Sequence, residues 1–180
     1  MEWMLMPLRR YADFSGRSRR MEFWMWQLAK FLVSVIIWVL FFALAGGAIL
    51  TAGDDPARLM AAGGTIMLLA LVVMVLALAI FIPDLAVTVR RLHDTDRRGW
   101  WILAPLIPYL VLWVTIGTAV TSGARPEEMM AGGVGIIGLI CLLAVFVLVL
   151  MLLVFYFLDG TPGPNRFGPD PKGRGADIFS

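Results

Sequence analysis

The sequence predicts an all-α integral membrane protein, an antiparallel bundle of four transmembrane helices. Three observations point there. Of the 180 residues, 60% are hydrophobic and 16% charged, against about 45–50% and 25% in soluble domains; mean hydropathy is +0.84. Four windows, Phe31–Gly53, Leu59–Pro83, Gly99–Ala124 and Met129–Leu158, hold no charged residue. Each exceeds the ~20 residues that a helix rising 1.5 Å per residue needs to cross a ~30 Å hydrocarbon core. Third, 13 of the 15 Lys and Arg fall before the first window, between the second and third, or after the fourth. Helices are the default because a chain in lipid must satisfy its backbone groups internally.

The first span is placed at Phe23–Ala48. Ser18 is expected to cap a helix beginning at Arg19, its hydroxyl accepting a free N–H of the first turn. Gly16 permits a turn before the cap, Glu22 suits the positive end of the helix dipole, and Phe23, Trp24 and Trp26 seat the helix at the interface. A signal-peptidase reading of Ala43-Leu44-Ala45 is disfavoured, because the preceding region is long and aromatic-rich, unlike a short n-region.

Thr51–Ala61, with Asp54, Asp55, Pro56 and Arg58, turns the chain into a second span at Ala62–Phe81. Pro83 lacks an N–H and is expected to kink or restart the helix. Beyond it Leu85, Val89 and Leu92 recur at helical spacing, and Asp84, Thr88 and Arg91 form a polar stripe beside them. Pro83–Asp94 therefore reads as an extension of the second helix lying partly at the interface, with Arg90 and Asp94 spaced to pair. The third span is placed at Trp100–Val120, bent by Pro105 and Pro108, and the fourth at Gly132–Phe157. Short connections give antiparallel neighbours, hence one domain over 1–172. Gly173–Ser180 is expected to be a flexible tail. Gly46, Gly47, Gly63, Gly64, Gly132, Gly133, Gly135 and Gly138, with an Ala131/Gly135 small-xxx-small pair, would allow close helix packing or mark frayed ends. Cys141 reads as a small buried hydrophobe.

Orientation follows from the bases. Arg9, Arg10, Arg17, Arg19, Arg20 and Lys30 precede or open the first span; Arg90, Arg91, Arg97 and Arg98 lie in the central connection; Arg166, Lys172 and Arg174 lie in the tail. The other two loops share Arg58 and Arg125. By the positive-inside rule both termini and the central connection are cytoplasmic. Trp24, Trp26, Trp100, Trp101, Phe155, Tyr156 and Phe157 fall at the same boundary, where a ring that is apolar on one side and wet on the other is favoured.

Three blocks are similar to known sequences: Phe14-Ser15-Gly16-Arg17-Ser18-Arg19-Arg20-Met21-Glu22-Phe23-Trp24; Arg90-Arg91-Leu92-His93-Asp94 followed by Gly99-Trp100-Trp101; and Gly160-Thr161-Pro162-Gly163-Pro164-Asn165-Arg166-Phe167-Gly168-Pro169-Asp170-Pro171. Together they resemble the DUF805 family of small bacterial inner-membrane proteins, a domain of unknown function. The resemblance implies location and architecture and no reaction. It also favours an ordered Gly160–Pro171 folded under the bundle, with Asn165 or Arg166 meeting the other two blocks. Asp96 and Arg98 depart from that pattern, which has a small residue and a serine there.

The candidate site is a cytoplasmic polar cap. Arg17, Arg20, Arg90, Arg91, His93, Asp94 and Arg166 are the candidates for anionic lipid headgroups or a partner, since clustered arginines near a cytoplasmic leaflet attract acidic headgroups. Glu22, Asp84 and Asn165 are candidates for a structural polar lock. An ionised Asp84 beside hydrocarbon needs a cation; Arg91 is the local choice, and Arg17, Arg19 and Arg20 the others. His93-Asp94-Thr95-Asp96 invites a metal or catalytic reading, but one histidine makes at most part of a metal site and no nucleophile motif accompanies it. A hydrogen-bonded interfacial histidine is the simpler reading. No catalytic residue, metal, cofactor or nucleic acid is expected; the expected partners are the bilayer and anionic phospholipids, with a homo-oligomer left open. The favoured role is structural or interactive at the inner membrane. The alternatives are a small-solute transporter or channel subunit, for which Ser34, Thr65, Thr115 and Thr118 are the few polar residues within the spans, and a lipid-headgroup enzyme using His93 and Asp94.

Overall fold

Each uncharged window supplies most of one long helical segment of the structure, a computed structural model that describes residues 2–123, 125, 127–128 and 132–173. A short α1 (Glu2–Arg9) precedes α2 (Arg20–Ala52), α3 (Pro56–Asp94), a 3-10 turn (Gly99–Leu103), α4 (Leu106–Thr121) and α5 (Gly133–Phe157). Among the described residues four segments, with the 3-10 turn and α4 counted as one, are long and apolar enough to cross a membrane. The chain is thus an all-α integral membrane protein. The tail expected at 173–180 lies outside the described residues apart from Gly173, as do Ala131 of the small-residue pair and Arg174.

The helices run as two antiparallel hairpins. Packing is most extensive between α2 and α3 and between α4 and α5, with α1 laid across α2 and α3. Away from the charged end the side chains face outward: Phe42, Met67 and Leu139 are 66%, 74% and 70% exposed, as suits a hydrocarbon solvent. The large buried side chains gather at the charged end instead, where Phe23, Trp26 and Val87 form a core flanked by Trp24, Ile80 and Tyr156; the residues buried towards the other end are small, Ala45, Ala52, Ala62, Ala119 and Cys141. The hydroxyls within the spans are satisfied by their own helices: Ser34 donates to Phe31 O, Thr65 to Ala61 O, Thr115 to Val111 O and Thr118 to Thr115 O.

At 1.5 Å per residue the 39 residues of α3 reach ~58 Å, about twice the ~30 Å hydrocarbon core. The end beyond Pro83 therefore stands clear of the apolar slab. The start of α3 is built conventionally: Pro56 occupies the first turn, where a missing N–H costs nothing, and the Asp55 carboxylate accepts from Ala57 N at 2.9 Å. Pro83 neither restarts nor breaks the helix. Its missing N–H would leave the carbonyl of Ala79, four residues back, without a partner. The Tyr11 hydroxyl, delivered by the segment after α1, donates to Ala79 O at 2.7 Å and fills the gap.

Several local expectations are corrected. α2 begins at Arg20 with Arg19 in the N-cap position and no side-chain cap. Ser18 points inward, fully buried, with its Oγ unpartnered among the described residues, while its N–H donates to Arg90 O at 3.1 Å. Pro105 and Pro108 do not bend a continuous third helix; α4 starts after Pro105, behind the 3-10 turn, which puts both prolines where N–H groups are free anyway. Five of the outer glycines do not mediate close packing: a Cβ at Gly46, Gly47, Gly63, Gly64 or Gly133 would meet nothing within 4 Å, whereas one at Gly138 would lie 3.6 Å from Leu112 of the neighbouring helix and one at Gly132 2.8 Å from Glu128 O.

Candidate functional site

The three sequence blocks converge on the last three turns of α3. That end of the helix is enclosed except along the half-buried face of Leu85, Val89 and His93: Ala86, Val87, Thr88, Arg90, Arg91, Leu92, Asp94 and Thr95 are buried. The extension of the second helix expected beyond Pro83 is present, and its buried faces form the interior of the cap. Three arginines, Arg17, Arg90 and Arg91, are buried there with their carboxylate partners.

Asp94 is the hub. Its Oδ1 accepts from Arg17 Nε at 2.9 Å and its Oδ2 from Arg91 Nη1 at 2.5 Å. The side chains of the Arg17–Asp94 pair are 1% and 3% exposed. The remaining guanidinium donors are turned on tail carbonyls. Arg17 donates to Gly163 O at 2.7 Å and Thr161 O at 2.6 Å. Arg91 donates from Nε to Tyr156 O at 3.2 Å and from Nη2 to Leu158 O. These last carbonyls of α5 and the turn beyond it lack helical N–H partners, so a guanidinium fork suits them. Thr161 N completes the joint by donating to Asp94 O at 2.9 Å.

Arg90 makes a second, separate lock. Its Nη2 lies 3.1 Å from Glu22 Oε1, with side chains 0% and 4% exposed, and its Nη1 donates to Asp13 O. The expected Arg90–Asp94 pair is thus replaced by Arg90–Glu22 and Arg91–Asp94. Successive residues on a helix point ~100° apart, so Arg90 faces α2 while Arg91 and Asp94 share the side facing α5 and the tail. Asp13 is itself fixed: Ser15 Oγ donates to it at 2.5 Å and Arg10 Nε at 2.8 Å, and these contacts hold its carboxyl well below the usual carboxylate range.

His93 sits in the wall of the cap. Its Nδ1 is 3.2 Å from Gly16 O, which requires the proton on that nitrogen. Its ring stacks on Phe167 with centroids 3.9 Å apart and planes 4° from parallel. Asn165 Nδ2 donates to His93 O at 2.9 Å, and the Asn165–Gly168 turn is closed by paired backbone bonds. Arg166 reaches Asp96, with Nε 3.1 Å from its Oδ1 and Nη2 2.6 Å from its O; both side chains are about half exposed. Asp96 has φ +56°, a left-handed conformation in which small residues and Asp or Asn are tolerated best. Arg20 sits on the surface, 42% exposed, 2.8 Å from Asp159 and donating to Phe157 O.

Asp84 lies apart from this cluster, and its partner is a lysine. Lys30 Nζ is 2.6 Å from its Oδ1, joined there by Trp26 Nε1 at 3.0 Å and Gln27 Nε2 at 3.1 Å. The expected arginine is not used because Arg91 lies two turns along α3, ~10 Å towards the tail, where Asp94 holds it. Lys30 stands at the right level on α2. No three His, Cys, Asp or Glu side chains gather to hold a metal among the described residues.

Tyr11 is not among the candidates read from the sequence, nor is Lys30 as the partner of Asp84, and Gly160 and Thr161 have no role there beyond their place in the third block. The signal for Tyr11 was indirect, since a proline inside a long helix calls for an outside donor. For Gly160 no local signal exists, because what demands glycine there is Asp94, 66 positions earlier in the chain.

A polytopic helical membrane protein whose sequence blocks knit into a buried ionic cap is thereby defined. The chain belongs to the DUF805 family of proteins of unknown function, whose family model matches residues 11–129. It is 31% identical to Inner membrane protein YhaH of Escherichia coli (strain K12), covering 96% of this chain and 98% of that protein. It is 32% identical to Inner membrane protein YhaI of the same strain, covering 96% of this chain and 97% of that protein. No solved structure matches the chain. The chain is accordingly an inner-membrane protein.

Proposed function

We propose that this protein is a non-enzymatic structural or interaction component of the inner membrane. Its polar cap lies on the cytoplasmic side and works as a clasp holding the two hairpins together. What supports the clasp is that the donors of Arg17 and Arg91 are directed to Asp94 and to carbonyls of the tail and the end of α5, and the two Nη groups of Arg90 to Glu22 and Asp13, its Nε being buried without a partner among the described residues. Groups so enclosed hold a fold; they are not free to meet a ligand. Of the residues that are candidates for lipid or a partner, the exposed Arg20 and Arg166 are the ones that support such a role, with His93 beside Arg166 in the wall of the cap. Support for the orientation is the distribution of Lys and Arg, 13 of 15 at the cap end.

Two measurements test the reading. In nanodiscs with and without anionic lipid, Arg20→Ala/Arg166→Ala should lose any stabilisation that anionic lipid confers, whereas Arg90→Ala should destabilise the protein in both. If Arg90→Ala melts like the parent and instead loses lipid dependence, the clasp is wrong. For orientation, a Cys141→Ala background with Asp54→Cys should react with an impermeant thiol reagent on intact spheroplasts, and with Asp96→Cys should not. The reverse pattern refutes the cytoplasmic cap.

A further inference from the structure

Between α2 and α3, on the membrane side of the cap, lies a cavity of about 580 Å³. Its walls are apolar for most of their length, including Ile37, Trp38, Val73 and Ala77, and its cap end holds Gln27, Lys30 and Asp84. From residue 27 to 38 it follows α2 for ~16 Å at 1.5 Å per residue. A charged pair above an apolar trough, at the depth where headgroups meet hydrocarbon, has the shape of an amphiphile.

The hydrogen bonding at that end is lopsided. Trp26, Gln27 and Lys30 all donate to Asp84 Oδ1. Among the described residues no donor reaches Oδ2, and Lys30 makes no bond other than that to Oδ1. The Asp84 and Lys30 side chains are 28% and 31% exposed. The site therefore keeps one carboxylate acceptor and spare ammonium donors side by side. A purely anionic headgroup would meet the Asp84 carboxylate, and a purely cationic one the Lys30 ammonium; each arrangement repels. A headgroup carrying a phosphodiester and a primary ammonium satisfies both, with N–H donors to Oδ2 and phosphate oxygens for Lys30. A quaternary ammonium has no N–H to offer Oδ2.

We infer that the α2–α3 groove is a binding site for a zwitterionic aminophospholipid of the phosphoethanolamine type, with its headgroup on Lys30 and Asp84 and one acyl chain along Ile37, Trp38, Val73 and Ala77. This site is distinct from the arginine clasp and independent of the clasp's role.

Native mass spectrometry of the purified full-length protein tests it, using phosphatidylethanolamine, phosphatidylcholine and phosphatidylglycerol with identical chains. The parent should retain phosphatidylethanolamine roughly tenfold more tightly than either other lipid, the ratio that one charge-assisted hydrogen bond supplies. Asp84→Asn should remove that preference. Ala77→Trp, which fills the trough and leaves the polar end intact, should weaken all three lipids while the melting temperature in detergent stays near the parent's. Equal retention of the three lipids by the parent overturns the assignment, as does Ala77→Trp binding like the parent, or a dimer whose interface occupies the groove.

Discussion

The Asp94 carboxylate occupies the space where a side chain on residue 160 would stand: a Cβ built on Gly160 would lie 2.1 Å from Asp94 Oδ2 and 2.5 Å from Oδ1. The tail can come this close to the ionic hub only because residue 160 is glycine. From there Thr161 N reaches Asp94 O, and the Thr161 and Gly163 carbonyls reach Arg17. Gly160→Ala should therefore dislodge the tail or the carboxylate. Overpacking a tight site by one carbon costs ~1–3 kcal/mol, and here the neighbour is a buried charge with no room to retreat. Loss of at least ~3 kcal/mol, read as a lower midpoint of unfolding in mixed micelles, is expected.

Burial separates two ion pairs that look alike in sequence. Arg90–Glu22 is enclosed, 0% and 4% exposed, whereas Arg166–Asp96 is open, 50% and 47% exposed. Removing one member of a buried pair strands the other, at ~3–5 kcal/mol; an exposed pair contributes ~0–1 kcal/mol. Arg90→Ala should thus lower membrane abundance and unfolding midpoint sharply, and Arg166→Ala hardly at all. Equal effects from the two substitutions would show that burial does not rank them.

Tyr11 and Pro83 should be coupled. The Tyr11 hydroxyl serves the Ala79 carbonyl that Pro83 leaves free. Tyr11→Phe should cost ~1 kcal/mol, the usual worth of one hydrogen bond. In a Pro83→Ala background, residue 83 regains an N–H for Ala79 O, and the same substitution should cost close to nothing. A double-mutant cycle measures this directly, and additive costs would contradict it.

The membrane architecture was legible in the sequence because lipid imposes a simple rule: a run without charge must be a span, and here the runs are long. The existence of a polar cap was legible too, since Arg17, Arg90, Arg91, Asp94 and Glu22 had nowhere else to go. Its wiring was not. Spacing of four suggested Arg90 with Asp94, but the direction each side chain takes depends on which neighbour packs on which side of α3, and that is settled by the tail and α2. Asp84 needed a cation, and spacing along α3 favoured Arg91; the answer came from the adjacent helix, as Lys30. Ser18 looked like a cap because Ser before a helix usually is one. Here the segment folds inward to put Ser18 N on Arg90 O, and burial displaced the capping role.

The central claim is that the cap is a clasp formed by mutually dependent buried charges, and the Arg17–Asp94 pair measures it most directly. Reversible unfolding in mixed micelles would compare Arg17→Ala, Asp94→Asn and the double variant. The account predicts that each single change costs ~3–5 kcal/mol and that the double costs clearly less than their sum, with a coupling of ~1–3 kcal/mol. Additive costs, or an Arg17→Ala protein within ~0.5 kcal/mol of the parent, would contradict it.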